Sequence, residues 1–207
     1  MTRTNAMPAS PVKYRAILLF GAPGSGKGTQ GKMIGCIPGF LHSSTGDIFR
    51  SLDKQSEMGQ IFLRYSTRGE LVPDEFTVKL WKQHMQNLVA AGKFNPATDI
   101  VVMDGIPRNV RQAELLSDTI DVVKIICLET SNLDQFVQRL KLRATKENRP
   151  DDADEQVIRN RMAVYKRETQ PVLDFYPADR VARVEADQTI VRVLGDVVKV
   201  LVPLTDR

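Results

Sequence analysis

The chain has 207 residues, 42% of them apolar and 26% charged, and its 29 basic residues against 25 acidic ones leave a formal charge of +4. That length suits one compact domain with a core of its own. The apolar content excludes a disordered polar segment, and no run approaches the roughly 18 apolar residues of a membrane span. Cys36 and Cys127 lie far apart within apolar stretches, so they make neither a disulfide framework nor a zinc site and read as reduced, buried thiols of a cytoplasmic protein. The pI of 9.1 reflects a weak excess with no block of like charges, so neither nucleic acid nor a membrane is an expected partner.

Residues 1–13 are small and polar, hold two prolines and lack the apolar stretch of a signal peptide; they read as a disordered tail, with a single domain over 14–207. Tyr14 to Phe20 is a short apolar run that stops at a Gly-rich turn, as a buried strand does, and a helical pattern begins at Lys27. Similar runs recur at Gly39 to Ser43, Asp99 to Met103, Val122 to Leu128 and Arg180 to Val184, separated by segments long enough for helices. This alternation predicts a parallel sheet covered on both faces, with ligand at the carboxyl ends of its strands.

Two stretches break the rhythm. From Thr45 to Ala91 the chain reads as helix after helix with turn signals at Gly69 and Pro73, which predicts an inserted helical lobe over 44–91 with Phe76 and Trp81 in its core. Ala144 to Asp154 is charged, lacks apolar periodicity and reads as a small mobile flap between two helices. Apolar positions resume at Ile158, Met162, Tyr165, Val172 and Tyr176, and Pro171 is expected to end or kink that helix near Gln170. His42 and His84 have no partner at metal-ligand spacing and receive no metal role.

Between the first strand and helix stands Gly21-Ala22-Pro23-Gly24-Ser25-Gly26-Lys27-Gly28-Thr29, a phosphate-binding loop in its required context. Glycines let successive N–H groups turn inward around phosphate oxygens, and the helix N-terminus adds its dipole. Gly28 stands where Ser or Thr usually ligates magnesium, with a hydroxyl one residue later at Thr29. Written this way, the loop resembles that of the adenylate kinase family of nucleoside monophosphate kinases.

Five further segments carry the resemblance in family order. Ser44-Thr45-Gly46-Asp47-Ile48-Phe49-Arg50 resembles STGDxxR, and Asp104-Gly105-Ile106-Pro107-Arg108 resembles DGFPR with Ile106 for the usual Phe. Arg139-Leu140-Lys141-Leu142-Arg143 resembles the start of the family's lid; Arg149-Pro150-Asp151-Asp152 with Arg161 resembles its close, and QPVLDFY follows at Gln170 to Tyr176.

The resemblance implies a P-loop α/β fold of three layers with a five-stranded parallel sheet, a helical monophosphate-binding insertion and a short lid. It implies reversible transfer from MgATP to AMP, giving two ADP, by a monomer. Transfer between phosphates needs no general base, so catalysis becomes positioning and charge neutralisation by Lys, Arg and magnesium.

By resemblance, ATP is bound by Gly24, Ser25, Gly26, Lys27, Gly28 and Thr29, with Arg139 stacking on the adenine and Gln188 in the adenine-contacting loop, where Ala186 replaces the expected Gly. AMP falls to Thr45, Gly46, Arg50, Val72, Gly105, Arg108 and Gln112. The catalytic set is Lys27, Arg108, Arg143, Arg149 and Arg161, and Asp104 at a strand end organises magnesium through water. Independently of the family, Arg139 and Arg143 are four apart on a predicted helix, a like-charge pair that costs a few tenths of a kcal/mol and suggests a nearby anion. Asp151 and Asp152 either brace the closing arginines, as in the family, or stabilise the start of the next helix; one extra residue lies between Asp152 and Arg161 relative to the family pattern.

Gln112, four residues after Arg108, resembles the adenine-reading position of adenylate kinases, whereas Asn109 echoes the UMP and CMP kinases. AMP is the favoured acceptor and a pyrimidine monophosphate the alternative. Only five residues separate Arg143 from Arg149, so the long lid and its zinc-binding cysteines are not expected. Readings from other classes are a catalytically weakened nucleotide-binding protein, against which the intact Lys and Arg set argues, and a shikimate-kinase-type enzyme, which has no need of Gln112.

Overall fold

The structure, a computed structural model, describes residues 13–130, 132–147, 149 and 152–205. The tail expected over 1–13 therefore lies outside the described residues except for Lys13, and so does Asp151. Five strands form one parallel sheet: β1 (Tyr14–Gly21), β2 (Phe40–Ser44), β3 (Ile100–Asp104), β4 (Ile120–Glu129) and β5 (Val181–Glu185), in the order β2-β3-β1-β4-β5. Each expected strand is present, displaced by at most a few residues at its ends.

Successive residues of a strand face opposite sides of the sheet, and here both sides are apolar. Ala16, Leu18, Phe20, Val101, Met103, Ile125 and Cys127 pack on one side with Trp81 and Met85 of α4 (Asp74–Ala90) and Ala113 and Leu116 of α5 (Val110–Leu116). Ile17, Leu19, Val102, Ile126 and Leu128 pack on the other with Ile34 of α1 (Lys27–Ile34), Phe136 of α6 (Leu133–Glu147) and Val193, Val197 and Leu201 of α8 (Ile190–Leu201). Each Val, Leu, Ile, Phe or Met side chain among them, fully buried, contributes about 1.5–3 kcal/mol. The result is helix, sheet, helix.

The inserted segment holds α2 (Thr45–Arg50), α3 (Glu57–Ser66) and α4 without a strand. Phe49 stacks on Phe62 at 5.0 Å and on Phe76 at 6.3 Å, which joins the three helices. Trp81, fully buried, donates from Nε1 to Ser43 Oγ at 3.1 Å and ties α4 to β2.

Three expectations need correction. Helix α6 runs through Glu147, so the first residues expected in the charged flap are helical; Ala144, Lys146 and Glu147 are strong helix formers and need no apolar face to extend an existing helix. The α-type hydrogen bonding of α7 (Glu155–Val164) ends earlier than expected, loosening to a π turn over Tyr165–Thr169, while the change expected near Gln170 is present as a switch to 3-10 turns over Gln170–Phe175, where Pro171 has no N–H to donate. Cys36 is exposed, because it follows the last turn of α1 and its thiol contacts Lys32 O, whereas Cys127 is buried.

Candidate active site

The order in which strands are added reverses around β1. From β1 the chain moves through α1 to β2 on one side, while β3 crosses β1 to reach β4 on the other. A crevice at the carboxyl ends of β1 and β3 follows from that reversal. Leu19 and Asp104 are register partners, so the phosphate loop and Asp104 emerge side by side.

The crevice is a cavity of about 480 Å³. Gly24, Gly26, Lys27, Gly28 and Thr29 line it from the loop, Gly46 and Arg50 from α2, Asp104, Gly105 and Arg108 from the end of β3, and Arg143, Arg149 and Arg161 from α6, α7 and the segment between them. Gly26 caps α1 with φ of 94°, a left-handed conformation that a side chain would strain. Lys27 Nζ donates to Gly21 O at 2.6 Å and Ala22 O at 3.0 Å, within reach of Ser25 Oγ at 3.4 Å. Burial pulls its ammonium down to about 8 against the attraction of Asp104, and Arg108, Arg161 and Arg143 lower it further.

Ser44 caps α2, its Oγ accepting from Asp47 N at 3.2 Å, and this aims the first turn at the crevice. A smaller adjoining cavity is lined by Thr45, Val72, Thr77 and Gln112, and it shares Gly46, Arg50, Gly105, Arg108 and Arg161 with the larger one. Thr45 Oγ1 is buried there without a hydrogen-bond partner among the described residues.

The arginines are held by carboxylates. Asp152, fully buried, accepts from Arg143 Nε at 2.7 Å and pairs with Arg161 through its other oxygen, so one side chain joins α6 to α7. The extra residue before Arg161 does not disturb this bridge. Asp154, not Asp152, caps α7, its Oδ1 accepting from Gln156 N at 2.7 Å. Arg149 pairs with Glu147 at 2.7 Å, and Arg50 with Asp47 at 2.5 Å.

At 32% to 38% identity, relatives span most of this chain. An adenylate kinase of Cyanothece sp. is 38% identical over 180 residues, covering 83% of this chain and 87% of that protein. One of Kocuria rhizophila is 37% identical over 165 residues, 77% of this chain and 84% of the relative, and one of Streptomyces coelicolor is 32% identical over 193 residues, 77% and 85%. Residues 19–181 match the family model "Adenylate kinase". The chain belongs to the adenylate kinase family.

Within this adenylate kinase fold, two residues expected at the ATP adenine lie outside both cavities. Arg139 sits 5.4 Å above the Phe136 ring and donates from Nη1 to Ala186 O at 3.1 Å, while Ala186 N donates to Glu129 O at 2.7 Å. Gln188 turns to Glu185 O and Asp196. Ser25 is buried under the loop and lines neither cavity.

His42 was expected to stand alone, yet its Nε2 lies 3.8 Å from Asp104 Oδ2, in a slot where a Cβ on Gly31 would come within 2.4 Å of the ring. Strand pairing of β2 with β3 brings the two together, and no local spacing shows it. Burial favours the neutral acid of Asp104, but His42, Lys27 and Arg108 outweigh it and hold the carboxyl below the usual carboxylate range. Asp47, Glu147, Tyr165 and Thr169 also line the larger cavity and were not anticipated. Asp47 could have been found in the STGD motif itself; the other three carry no local signal. No helix among the described residues is long and apolar enough to cross a membrane.

Proposed function

We propose that the protein catalyses reversible phosphoryl transfer from MgATP to AMP, giving two ADP. The observation that carries this reading is the convergence of Lys27, Arg50, Arg108, Arg143, Arg149 and Arg161 on one cavity at the ends of β1 and β3. Such a density of cations, drawn from six parts of the chain, suits two polyanions held together against their mutual repulsion.

In this reading the loop N–H groups and Lys27 hold the β- and γ-phosphates of ATP. Arg50 and Arg108 hold the phosphate of AMP, whose attacking oxygen is already ionised and needs no base. Arg143, Arg149 and Arg161 surround the transferring group and neutralise the charge that spreads over its oxygens. Asp152 orients two of these three. Asp47 and Glu147 yield Arg50 and Arg149 to the incoming phosphates, which present stronger and more numerous acceptors.

Asp104 is the residue we assign to magnesium. Its donor set fits: a carboxylate kept ionised, the Thr29 hydroxyl on the same cavity, and an open face at Gly28, where even a Cβ would sit 3.5 Å from Oδ2. Magnesium takes one or two carboxylates and keeps its waters and phosphate oxygens, so no cage of three acidic or histidine side chains is required, and none occurs among the described residues. The ion bound with ATP supplies charge neutralisation at the β- and γ-phosphates.

A coupled assay of ADP formation with MgATP and each of AMP, GMP, UMP and CMP tests the assignment. AMP is expected to be turned over far faster than the rest. UMP or CMP exceeding AMP would sink the adenylate reading, and no turnover with any of them would leave only nucleotide binding.

A further inference from the structure

Gln112 is 1% exposed and lines the smaller cavity, yet half of its hydrogen-bonding capacity is spent inside the protein. Its Oε1 accepts from Arg108 N at 2.8 Å, and its Nε2 donates to Asp74 Oδ1 at 2.8 Å. Asp74 opens α4 and lies 38 residues away in sequence. Asn109, which caps α5 by accepting from Gln112 N at 2.8 Å, also donates from Nδ2 to the same Asp74 oxygen at 2.9 Å.

These two anchors fix the amide chemically. A main-chain N–H can only donate, so it faces the carbonyl; a carboxylate can only accept, so it faces the NH₂ group. Turning the amide over would set carbonyl against carboxylate and N–H against N–H, losing both bonds at once. One lone pair on Oε1 and one N–H on Nε2 remain, side by side in a fixed order.

That order matters to a purine. A 6-amino purine offers an N–H donor beside a ring-nitrogen acceptor, whereas the Watson–Crick edge of a 6-oxo purine offers an acceptor beside an N–H donor, the reverse. A base tethered through its phosphate at Arg50 and Arg108 is not free to turn over and correct the mismatch. We infer that Asp74 is a specificity-positioning residue, which locks the Gln112 amide so that the acceptor site takes a 6-amino purine and refuses a 6-oxo purine. This rests on the reading of AMP as acceptor with Gln112 facing its base.

The experiment measures kcat/KM for AMP and for IMP, which differ only at the purine 6-position and the N1 proton, in the wild type, Asp74→Ala and Asp74→Asn, with MgATP saturating. Asp74→Ala removes one of the two anchors and leaves only Arg108 N to orient the amide, and the AMP-to-IMP ratio is expected to fall by roughly tenfold, chiefly through a higher KM for AMP, with the KM for ATP unchanged. Asp74→Asn, which can still accept through its carbonyl, restores most of the ratio. Glu75→Ala, in the same helical turn but paired with Arg111, leaves the ratio alone and controls for damage to the start of α4. Should Asp74→Ala fail to fold, Asp74→Ser, too short to reach Gln112, carries the same expectation.

A merely structural Asp74 would lower AMP and IMP turnover alike, and a folded Asp74→Ala or Asp74→Ser with an unchanged ratio overturns the inference while leaving the AMP reading intact. A wild type that prefers IMP or a pyrimidine monophosphate overturns the reading itself.

Discussion

At the end of the site proposed for the acceptor, Gln112 is buried and held by Arg108 N and Asp74, and α5 that carries it is capped by Asn109. At the end proposed for the donor, Arg139 lies half-buried over Phe136 and reaches Ala186 O, and Gln188 is turned into its own loop. The first arrangement presents donors and acceptors in one order. In the proposed reading the second offers a guanidinium face, on which any purine can stack because every base has a π-face. Hydrogen bonds fixed in a buried site discriminate between bases, and stacking at a half-exposed one does not.

The comparison can be broken or sharpened by substitution. The largest effect is expected at the shared centre: Arg108→Ala should lower kcat/KM for AMP by roughly a thousandfold while leaving the Kd of MgATP nearly unchanged. Activity that survived would remove Arg108 from the acceptor phosphate. Asp152→Ala comes next, because it removes the buried carboxylate that holds both Arg143 and Arg161 in place; with the two arginines 29% and 20% exposed, the loss is expected to be about 1–3 kcal/mol, and both kcat and Tm should drop. Asp154→Ala serves as its contrast. Losing a cap costs about 1 kcal/mol, and kcat should hold.

Arg139→Ala should act on the donor end alone, raising the KM for ATP by about tenfold, as expected for losing one stacking cation, with the KM for AMP unmoved. A matching rise for AMP would show that the two ends are not separate. The smallest effect is one of pH. Free Lys27 loses its proton as pH rises through about 8, and bound polyphosphate favours the charged form, so MgATP binding should take up a proton above that pH and weaken by up to about tenfold per pH unit. A Kd flat from neutral pH to well above 9 would place the Lys27 pKa elsewhere.

Much of this architecture was legible in the sequence because it is local. Strand, glycine loop and helix are contiguous from Tyr14 to Ile34, and the arginines sit within short motifs whose spacing survives in any fold. The pairings that give those motifs their geometry are not local. Asp74 meets Gln112 across 38 residues, and His42 meets Asp104 because β2 lies beside β3. Asp152 and Asp154 differ by two positions in a run of acidic residues, yet one is fully buried between two arginines and the other caps a helix. Composition offers no way to divide those tasks. Arg139 shows the reverse case: its motif named a partner, the adenine, while its side chain rests on Phe136 and Ala186 in the structure.

The most direct test exchanges one base at a time. With the wild-type protein, kcat/KM is compared for GTP with AMP and for ATP with GMP, both against ATP with AMP. The account predicts that changing the donor base costs little and that changing the acceptor base costs at least about ten times more. Equal losses at the two ends, or a larger loss at the donor, would contradict it.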